Sequence, residues 1–303
     1  MKPSRHAAAL AGARTLLFVP GNRPERFAKA IASGADAVVL DLEDAVPPAE
    51  RQAARAAIAA AWATVSAAAV PILLRVSTPG SEAGAQDLAW LAGQTTPAGV
   101  MVAKAESADA LAAVRQAAPG AALLPLIESA AGYAALPQIA AAPGVLRLVV
   151  GHIDFMADTG LRCSDDEREL DGLRFAVAMQ TRLNRLEPAV DGVTVAIDDD
   201  ARLRADTRRA LNFGFGAKLC IHPRQVAVVH EALAPGAEEL AWARRVIAAD
   251  AAAAGATVQL DGKMVDLPVV LQARRTLARL REEPAASAPT SGSRCSITWT
   301  TWC

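Results

Sequence analysis

Short apolar runs alternate with alanine-rich stretches along most of the chain. The runs are rich in Val, Leu and Ile and lack the polar alternation of a half-buried strand, whereas the stretches between them repeat their apolar residues at helical spacing. Eight runs predict strands: TLLFVP from Thr15, AVVLDLE from Ala37, PILLRV from Pro71, GVMVAK from Gly99, ALLPLIE from Ala122, LRLVVGH from Leu146, VTVAID from Val193 and AKLCIH from Ala217.

Uniformly apolar strands separated by helices are typical of a parallel sheet covered on both faces. An open, doubly wound sheet is one way to build this. However, eight units in roughly 250 residues, with no Gly-x-Gly-x-x-Gly after the first strand, favour a closed α/β barrel, the (β/α)₈ or TIM barrel. We therefore predict a barrel over residues 14–235, preceded by an N-terminal arm of residues 1–13.

The chain continues beyond what eight units need. A helix is predicted near Glu238 to Ala254, then the segment VQLDGKMVDLP with a turn at Asp261-Gly262, then a last helix. We interpret residues 236–282 as a C-terminal helical lid or arm, and the Pro/Ser/Thr-rich residues 283–303 as a disordered tail.

Charge and composition narrow the function. Hydrophobic residues make up 52% of the 303 residues, and 31 basic side chains nearly balance 32 acidic ones, which disfavours a nucleic-acid partner and favours small polar molecules. Neither a spanning apolar segment of about 18 residues nor a secretory signal is recognisable, so we expect no membrane partner and a cytoplasmic location. The four cysteines form no C-x-x-C pair, which is typical of structural thiols.

Polar residues follow nearly every predicted strand, where the reacting groups of such barrels lie. For any one of these residues, a salt bridge at the rim is about as good an explanation as a role in binding a ligand. Because polar residues follow most of the strands, the group as a whole favours a binding or catalytic site. The strand ends supply Pro20, Gly21, Asp41, Glu43, Asp44, Arg75, Lys104, Glu128, His152, Asp154, Asp198 and His222.

Glu128 and Asp154 end consecutive strands, so their carboxylates are expected to converge above the rim. Two carboxylates without cysteine or paired histidines suit a hard cation such as Mg²⁺, and an acid/base pair is the alternative. The planar fork of Arg75 suits a carboxylate or a developing oxyanion. An internal pair with Asp41 or Glu43 is equally compatible with its position.

Two further residues support competing interpretations. Lys104 at a strand end suits a Schiff-base aldolase if its pKa is depressed, although the neighbouring Glu106 opposes that. His222 is a candidate general base, but a histidine at the end of the eighth strand is more often structural.

Seven ordered blocks resemble one family. LFVPGNRPERFAK, DLEDAVPPAE, LLRV, IESAAG, GHIDFMADTG, GAKLCIHPRQV and DGKMVDLP occur in the order and at the spacing of the citrate lyase β-subunit and malyl-CoA lyase group of CoA-ester lyases, within the HpcH/HpaI aldolase superfamily. The resemblance runs from about Arg14 to Leu280.

This resemblance implies a Mg²⁺-dependent barrel enzyme, with Mn²⁺ as a second possibility, that makes or breaks a carbon–carbon bond between an acyl-CoA and a 2-oxo acid, often as a homotrimer. Glu128 and Asp154 match the metal ligands, and Glu128 and Arg75 match residues that hold the substrate. Asp266 matches a catalytic aspartate that one subunit donates to its neighbour. Phe18, Arg23 and Lys29 match positions that contact substrate or CoA. Glu43 and Asp44 match acidic residues that organise the pocket.

The resemblance also leaves questions open. The glycine-rich GxxDL sequence of the family is GHIDFMAD here, which places the bulky His152 and Phe155 beside the metal. The resemblance therefore does not identify the 2-oxo acid. It also assigns no role to the acids of AIDDD. Malyl-CoA, citramalyl-CoA and a citryl thioester are all candidate substrates. A carrier-dependent citrate lyase β-like subunit without stand-alone activity and a metal aldolase acting on free hydroxy-oxo acids are the alternative functions.

Overall fold

Eight parallel strands close into a barrel whose strand order follows the chain, with β8 paired to β1. This is the (β/α)₈ architecture that the pattern of apolar runs predicted. The computed structural model describes residues 5–94 and 96–280, and the tail of residues 283–303 lies outside them. The strands are β1 (Thr15–Pro20), β2 (Ala37–Asp41), β3 (Ile72–Val76), β4 (Gly99–Val102), β5 (Ala122–Ile127), β6 (Val149–Val150), β7 (Val190–Asp191) and β8 (Ala217–Cys220).

Helices connect the strands and begin where the sequence supplies capping side chains. Ser81, Ser107 and Ser129 each accept the backbone N–H three residues later and so start α4, α5 and α6. The helices of this part of the chain are α1 (Arg5–Ala11), α2 (Phe27–Ile31), α3 (Arg51–Ser66), α4 (Glu82–Leu91), α5 (Ala108–Ala117), α6 (Ala130–Ala134), α7 (Leu136–Ala140), α8 (His152–Thr159), α9 (Asp171–Leu183), α10 (Asp200–Asn212) and α11 (Arg224–Leu233).

The seventh strand is not where the sequence indicated. VTVAID was predicted as a strand, but β7 comprises Val190 and Asp191, with Val190 paired to Val149 of β6 and Ala217 of β8. Gly192 ends the strand at a point where an added Cβ would lie 2.1 Å from Nδ1 of His152. The residues of VTVAID therefore belong to the rim, because the pairing of β7 with β6 and β8 ends at Asp191, before this segment begins.

Arg147 closes the opposite end of the barrel. Its side chain is fully buried and donates to the carbonyl oxygens of Pro188 at 2.6 Å, Ala13 at 2.5 Å and Leu10 at 3.4 Å. Leu10 and Ala13 are themselves buried in the barrel core, so these two residues of the arm predicted before β1 are part of the packed structure. Burial lowers the pKa of Arg147 to about 10, which leaves the guanidinium charged at neutral pH.

The chain divides by its contacts into a first unit of residues 1–231 and a second beginning at Ala232. The second contains α12 (Ala237–Ala252), an antiparallel hairpin and α13 (Leu267–Ala278), packed through small and branched apolar side chains. The hairpin strands are β9 (Val258–Leu260) and β10 (Lys263–Val265), and Asp261 and Gly262 turn between them with φ of 50° and 75°. Among the described residues, we find no helix with the length and apolarity needed to cross a membrane.

We expect Arg147→Ala to lower the free energy of unfolding by about 3 kcal/mol, because it removes the side-chain donor from the carbonyl oxygens of Ala13 and Pro188 and opens a cavity. Chemical denaturation followed by circular dichroism measures this loss. Arg182→Ala, at an exposed position of α9, is the control and should change stability by no more than about 0.5 kcal/mol. Equal effects of the two variants would contradict the role assigned to Arg147.

Candidate active site

A cavity of about 300 Å³ lies at the carboxyl ends of the barrel strands. Its floor is apolar, and its wall carries charged side chains from strands β2, β3 and β5 and from the start of α8. The polar lining residues are Asp41, Asp44, Arg75, Glu128, His152 and Asp154, and the apolar ones include Phe18, Leu126, Val150, Val193, Leu219 and Ile221. The topology thus gathers six of the twelve strand-end residues around one small space.

Arg75 is held by a bidentate ion pair. Its Nε and Nη2 atoms donate to the two oxygens of Asp41 at 2.6 Å each, and its Nη1 lies 3.1 Å from Glu43 and 3.2 Å from Asp44. The internal pair considered as an alternative therefore exists, and Arg75 also lines the cavity. The acids fix its orientation while its guanidinium still faces the space where a substrate would bind.

Phe18 supports the same guanidinium from one face. The Cζ atom of Arg75 lies 4.7 Å from the centre of the Phe18 ring, within the range of a cation–π contact. Burial opposes the charge of Arg75, but the nearby carboxylates of Asp41, Glu43 and Asp44 outweigh it and raise its pKa further. Arg75 is thus a permanent, oriented cation.

Glu128 is almost fully buried at the end of β5. Its Oε1 accepts the backbone N–H of Lys104 at 2.7 Å, and a Cβ added at Gly151 would lie 2.4 Å from its Oε2. Burial, reinforced by the charges of Glu43 and Asp154, raises the pKa of Glu128 to about 8. A nearby positive charge would stabilise the ionised form of this buried carboxyl group.

Lys104 follows β4 with a left-handed backbone, at φ 44°. Its Nζ lies 3.7 Å from Oδ1 of Asp154. Partial burial opposes the ammonium charge, but the carboxylates of Asp154 and Glu128 outweigh it and raise the pKa of Lys104. Because a Schiff-base lysine requires a depressed pKa, this environment disfavours the Lys104 mechanism.

Glu128 and Asp154 fit a hard divalent cation. Within the described ranges, no cluster of three or more His, Cys, Asp or Glu side chains has metal-binding geometry. Mg²⁺ is commonly held by one or two carboxylates together with water and substrate oxygens, so two protein ligands facing a small cavity suffice. The missing Cβ at Gly151 gives the Glu128 carboxylate the room that this arrangement needs.

Other expected residues lie elsewhere. Arg23 is exposed and paired with Glu25 at 2.5 Å, and Lys29 is exposed on α2, so neither belongs to the described cavity lining. Asp266 lies in the second unit, where it caps α13 by accepting the N–H of Val269 at 3.3 Å.

The polar residues at the ends of β7 and β8 have structural roles. Nδ1 of His222 accepts the N–H of Arg224 at 3.2 Å near the start of α11, in line with the structural interpretation of this histidine. The acids of AIDDD are also explained, since Asp199 caps α10 while Asp198 and Asp200 pair with Arg224.

Sequence reasoning missed an ionic network beside the cavity. Lys218 of β8 and Asp191 of β7 are both buried and lie 3.3 Å apart, and Asp191 also accepts from Arg174 at 3.2 Å. Arg174 also donates from Nη2 to Oε2 of Glu167 at 2.6 Å, which extends the network to that carboxylate. The signal was present, because Asp191 and Lys218 are charged residues within apolar runs.

A family model described as HpcH/HpaI aldolase/citrate lyase matches residues 14–223. The chain belongs to this family. The matched region contains the barrel strands and the charged residues of the cavity, so the resemblance seen in the sequence motifs is confirmed.

Individual relatives agree with this placement. The citrate lyase subunit beta-like protein of Mycobacterium tuberculosis is 39% identical over 273 residues, covering 88% of this chain and 95% of that protein. The (3S)-malyl-CoA thioesterase of Cereibacter sphaeroides is 32% identical over 269 residues, covering 88% and 94%. The crystal structure of CitE from M. tuberculosis with magnesium, acetoacetate and coenzyme A has a TM-score of 0.77 and 36% identity, covering 89% of this chain and 98% of that one.

The raised pKa of Glu128 is expected to make the stability of the metal-free protein depend on pH. Between pH 4.5 and 8, the folded protein retains a proton on Glu128 that the unfolded chain has released, so this residue lowers stability as the pH rises. Glu128→Gln carries no titrating proton. We therefore expect the stability of Glu128→Gln relative to the unsubstituted protein to increase across this interval, by on the order of a few kcal/mol.

Denaturant titrations in the presence of EDTA measure this difference. Adding Mg²⁺ is the control, because a bound cation favours the ionised carboxylate and should flatten the pH dependence of the unsubstituted protein. Parallel pH profiles of the two metal-free proteins would show that Glu128 has an ordinary pKa.

Proposed function

We propose that this protein is a Mg²⁺-dependent carbon–carbon lyase that cleaves, or in reverse forms, a 3-hydroxyacyl-CoA thioester such as malyl-CoA, citramalyl-CoA or a citryl thioester. The products of cleavage are acetyl-CoA and a 2-oxo acid. The observation that carries the proposal is the convergence of Glu128, Asp154 and the oriented guanidinium of Arg75 on one cavity of about 300 Å³. Family membership and a related structure with magnesium and coenzyme A support it.

Glu128 and Asp154 would hold the cation. When bound, Mg²⁺ supplies positive charge that stabilises negative charge on substrate oxygens. Gly151 leaves the space that the Glu128 carboxylate occupies, and the Lys104 backbone N–H orients its Oε1. With Mn²⁺, which also accepts oxygen ligands, the same residues are expected to support activity.

Arg75 would bind the carboxylate or the oxo group of the 2-oxo acid. The hydroxyl would give its proton to water, and an electron pair of the resulting alkoxide would form the oxo group of the 2-oxo acid. The bond between the carbinol carbon and the α-carbon of the thioester breaks at the same time, and its electron pair stays on the α-carbon. The carboxylate of the 2-oxo acid would stay near the fixed guanidinium of Arg75, while the charge of the alkoxide passes to the enolate on the acetyl-CoA side. Asp41, Glu43 and Asp44 prevent Arg75 from rotating away.

Asp266 would complete the reaction by delivering a proton to the enolate carbon. In the condensing direction, its carboxylate would remove the same proton from acetyl-CoA. We propose that a neighbouring copy of the chain supplies this residue in a homo-oligomer, a homotrimer by analogy with the family. Phe18, Arg23 and Lys29 would contact the substrate or CoA, the two basic residues through phosphate groups.

The decisive assay incubates the purified protein and Mg²⁺ with malyl-CoA, citramalyl-CoA or citryl-CoA and measures acetyl-CoA, the 2-oxo acid and free CoA separately. We expect cleavage of at least one ester to give equal amounts of acetyl-CoA and 2-oxo acid, and excess EDTA to abolish it because Glu128 and Asp154 need the cation.

Two carboxylates of α8 provide matched variants for this assay. Asp154→Asn should lower kcat/KM by about a hundredfold or more, whereas Asp158→Asn should retain activity because Asp158 is exposed and accepts the backbone N–H of Ala130 at 2.7 Å. Free CoA without acetyl-CoA would instead indicate thioester hydrolysis. Cleavage only after addition of an acyl-carrier partner, or only of a free hydroxy-oxo acid, would favour the alternative functions.

Asp266→Asn separates proton transfer from folding, since asparagine caps a helix as well as aspartate does. We expect kcat to fall about a hundredfold or more, with little change in KM for the ester. Steady-state kinetics measure both. Asp261→Asn, in the hairpin turn of the same unit, is the control and should behave like the unsubstituted protein.

Subunit mixing tests where Asp266 acts. Oligomers assembled from Asp266→Asn and Glu128→Gln chains should recover activity, because some sites then combine an intact cation site with an intact Asp266 from a neighbour. Mixed oligomers as inactive as their parents would place Asp266 in its own chain's site or outside the reaction.

A further inference from the structure

His152 stands between the reaction cavity and a second, larger cavity. The second cavity has a volume of about 860 Å³ and lies between α8, the segment that follows it and residues 193–206. His152, Ile153 and Val193 line both spaces. The two cavities are therefore separated by a partition of three side chains, of which the His152 ring is the most deeply buried.

The His152 ring has little freedom to move. Its side chain is 6% exposed, and its buried Nδ1 has no hydrogen-bond partner in the part of the chain that the structure describes. Nδ1 is packed so closely against Gly192 that an added Cβ there would lie 2.1 Å away. The ring thus fills space rather than serving a hydrogen-bond network at this nitrogen.

Glu167 limits the ring on its other side. Oε1 of Glu167 lies 4.0 Å from Nε2 of His152 and accepts from Arg202 at 2.8 Å, while Oε2 accepts from Arg174 at 2.6 Å and from Arg209 at 2.7 Å. Three arginines therefore fix this carboxylate. A wall of paired charges behind His152 keeps the ring from turning out of the partition.

The second cavity has both apolar and charged side chains in its lining. Met156, Leu161 and Val195 line it together with Ile153 and Val193 of the partition, and the charged side chains include Glu167 and Arg202. The reaction cavity, by contrast, carries the carboxylates and the guanidinium that would hold the polar end of a substrate. A substituent leading from that polar end towards α8 would meet His152 before it reached the larger cavity.

We propose that His152 is the specificity-determining residue that restricts the enzyme to short-chain 2-oxo acids. Its ring closes the reaction cavity against the second cavity and so excludes 2-oxo acids with an alkyl chain of three or more carbons. This inference rests on the proposed lyase function and names the substrate class of the same site. Exclusion arises from volume, since the unpartnered Nδ1 faces Gly192.

The test measures condensation of acetyl-CoA with glyoxylate, pyruvate, 2-oxobutyrate and 2-oxopentanoate in the presence of Mg²⁺. For the unsubstituted protein, we expect kcat/KM for 2-oxopentanoate to be at least about tenfold below that for pyruvate. In His152→Ala, the ratio of the two values should shift at least about tenfold towards 2-oxopentanoate, because the two cavities become continuous.

Two variants separate volume from other effects. His152→Gln keeps most of the side-chain volume and should retain the preference for pyruvate. Leu161→Ala enlarges the second cavity without opening the partition, and its selectivity should equal that of the unsubstituted protein. If His152→Ala does not fold, Val193→Ala widens the same partition from a half-buried position and should produce a smaller shift of the same sign.

Direct binding distinguishes failure of this inference from failure of the proposed function. Calorimetric titration of each 2-oxo acid into Mg²⁺-loaded protein reports selectivity without turnover. Absence of condensation by every form, together with selective binding that His152→Ala relaxes, would reject the lyase function and retain the partition. Equal use or binding of pyruvate and 2-oxopentanoate by the unsubstituted protein, or unchanged selectivity in His152→Ala, would overturn the role of His152.

Discussion

The ion pair between Arg75 and Asp41 is the interaction on which the candidate site depends. Two hydrogen bonds of 2.6 Å join the ends of neighbouring strands, and the register of β2 and β3 sets these residues directly opposite each other. A flexible arginine would lose orientation entropy each time it gripped a substrate, whereas this one is held before the substrate arrives. The buried pair is thus better understood as positioning than as stabilisation, since desolvation offsets much of its attraction.

Excess negative charge defines the rest of the cavity. Among the described lining residues, four carboxylates, those of Asp41, Asp44, Glu128 and Asp154, face one guanidinium. The charge of Asp41 is neutralised by its ion pair with Arg75, whereas Glu128 is buried and its pKa is raised to about 8. A divalent cation relieves this imbalance, which links the electrostatics of the barrel mouth to the chemistry proposed for it.

Two non-glycine residues with left-handed backbones lie at this end of the barrel. Lys104 and Glu167 both have left-handed backbones, at φ 44° and 51°, and each sits at a contact the site uses: one with Glu128, the other with the arginines behind His152. At the opposite end, Arg147 joins the N-terminal helix to the barrel without facing a cavity described here. Arg147 therefore helps to hold the fold together at one end, and the two left-handed residues support contacts around the site at the other.

The apolar runs by themselves determined the barrel, because parallel strands buried on both faces need uninterrupted apolar sequence and each must be followed by a helix. They also determined that Arg75, Glu128 and Asp154 share one rim. The sequence misplaced β7, since VTVAID and the true strand ending at Asp191 have the same local pattern and pairing register decides between them. Only the tertiary structure brought His152, Gly192 and Glu167 together, because contacts between side chains from separate loops depend on barrel closure and have no periodicity along the chain.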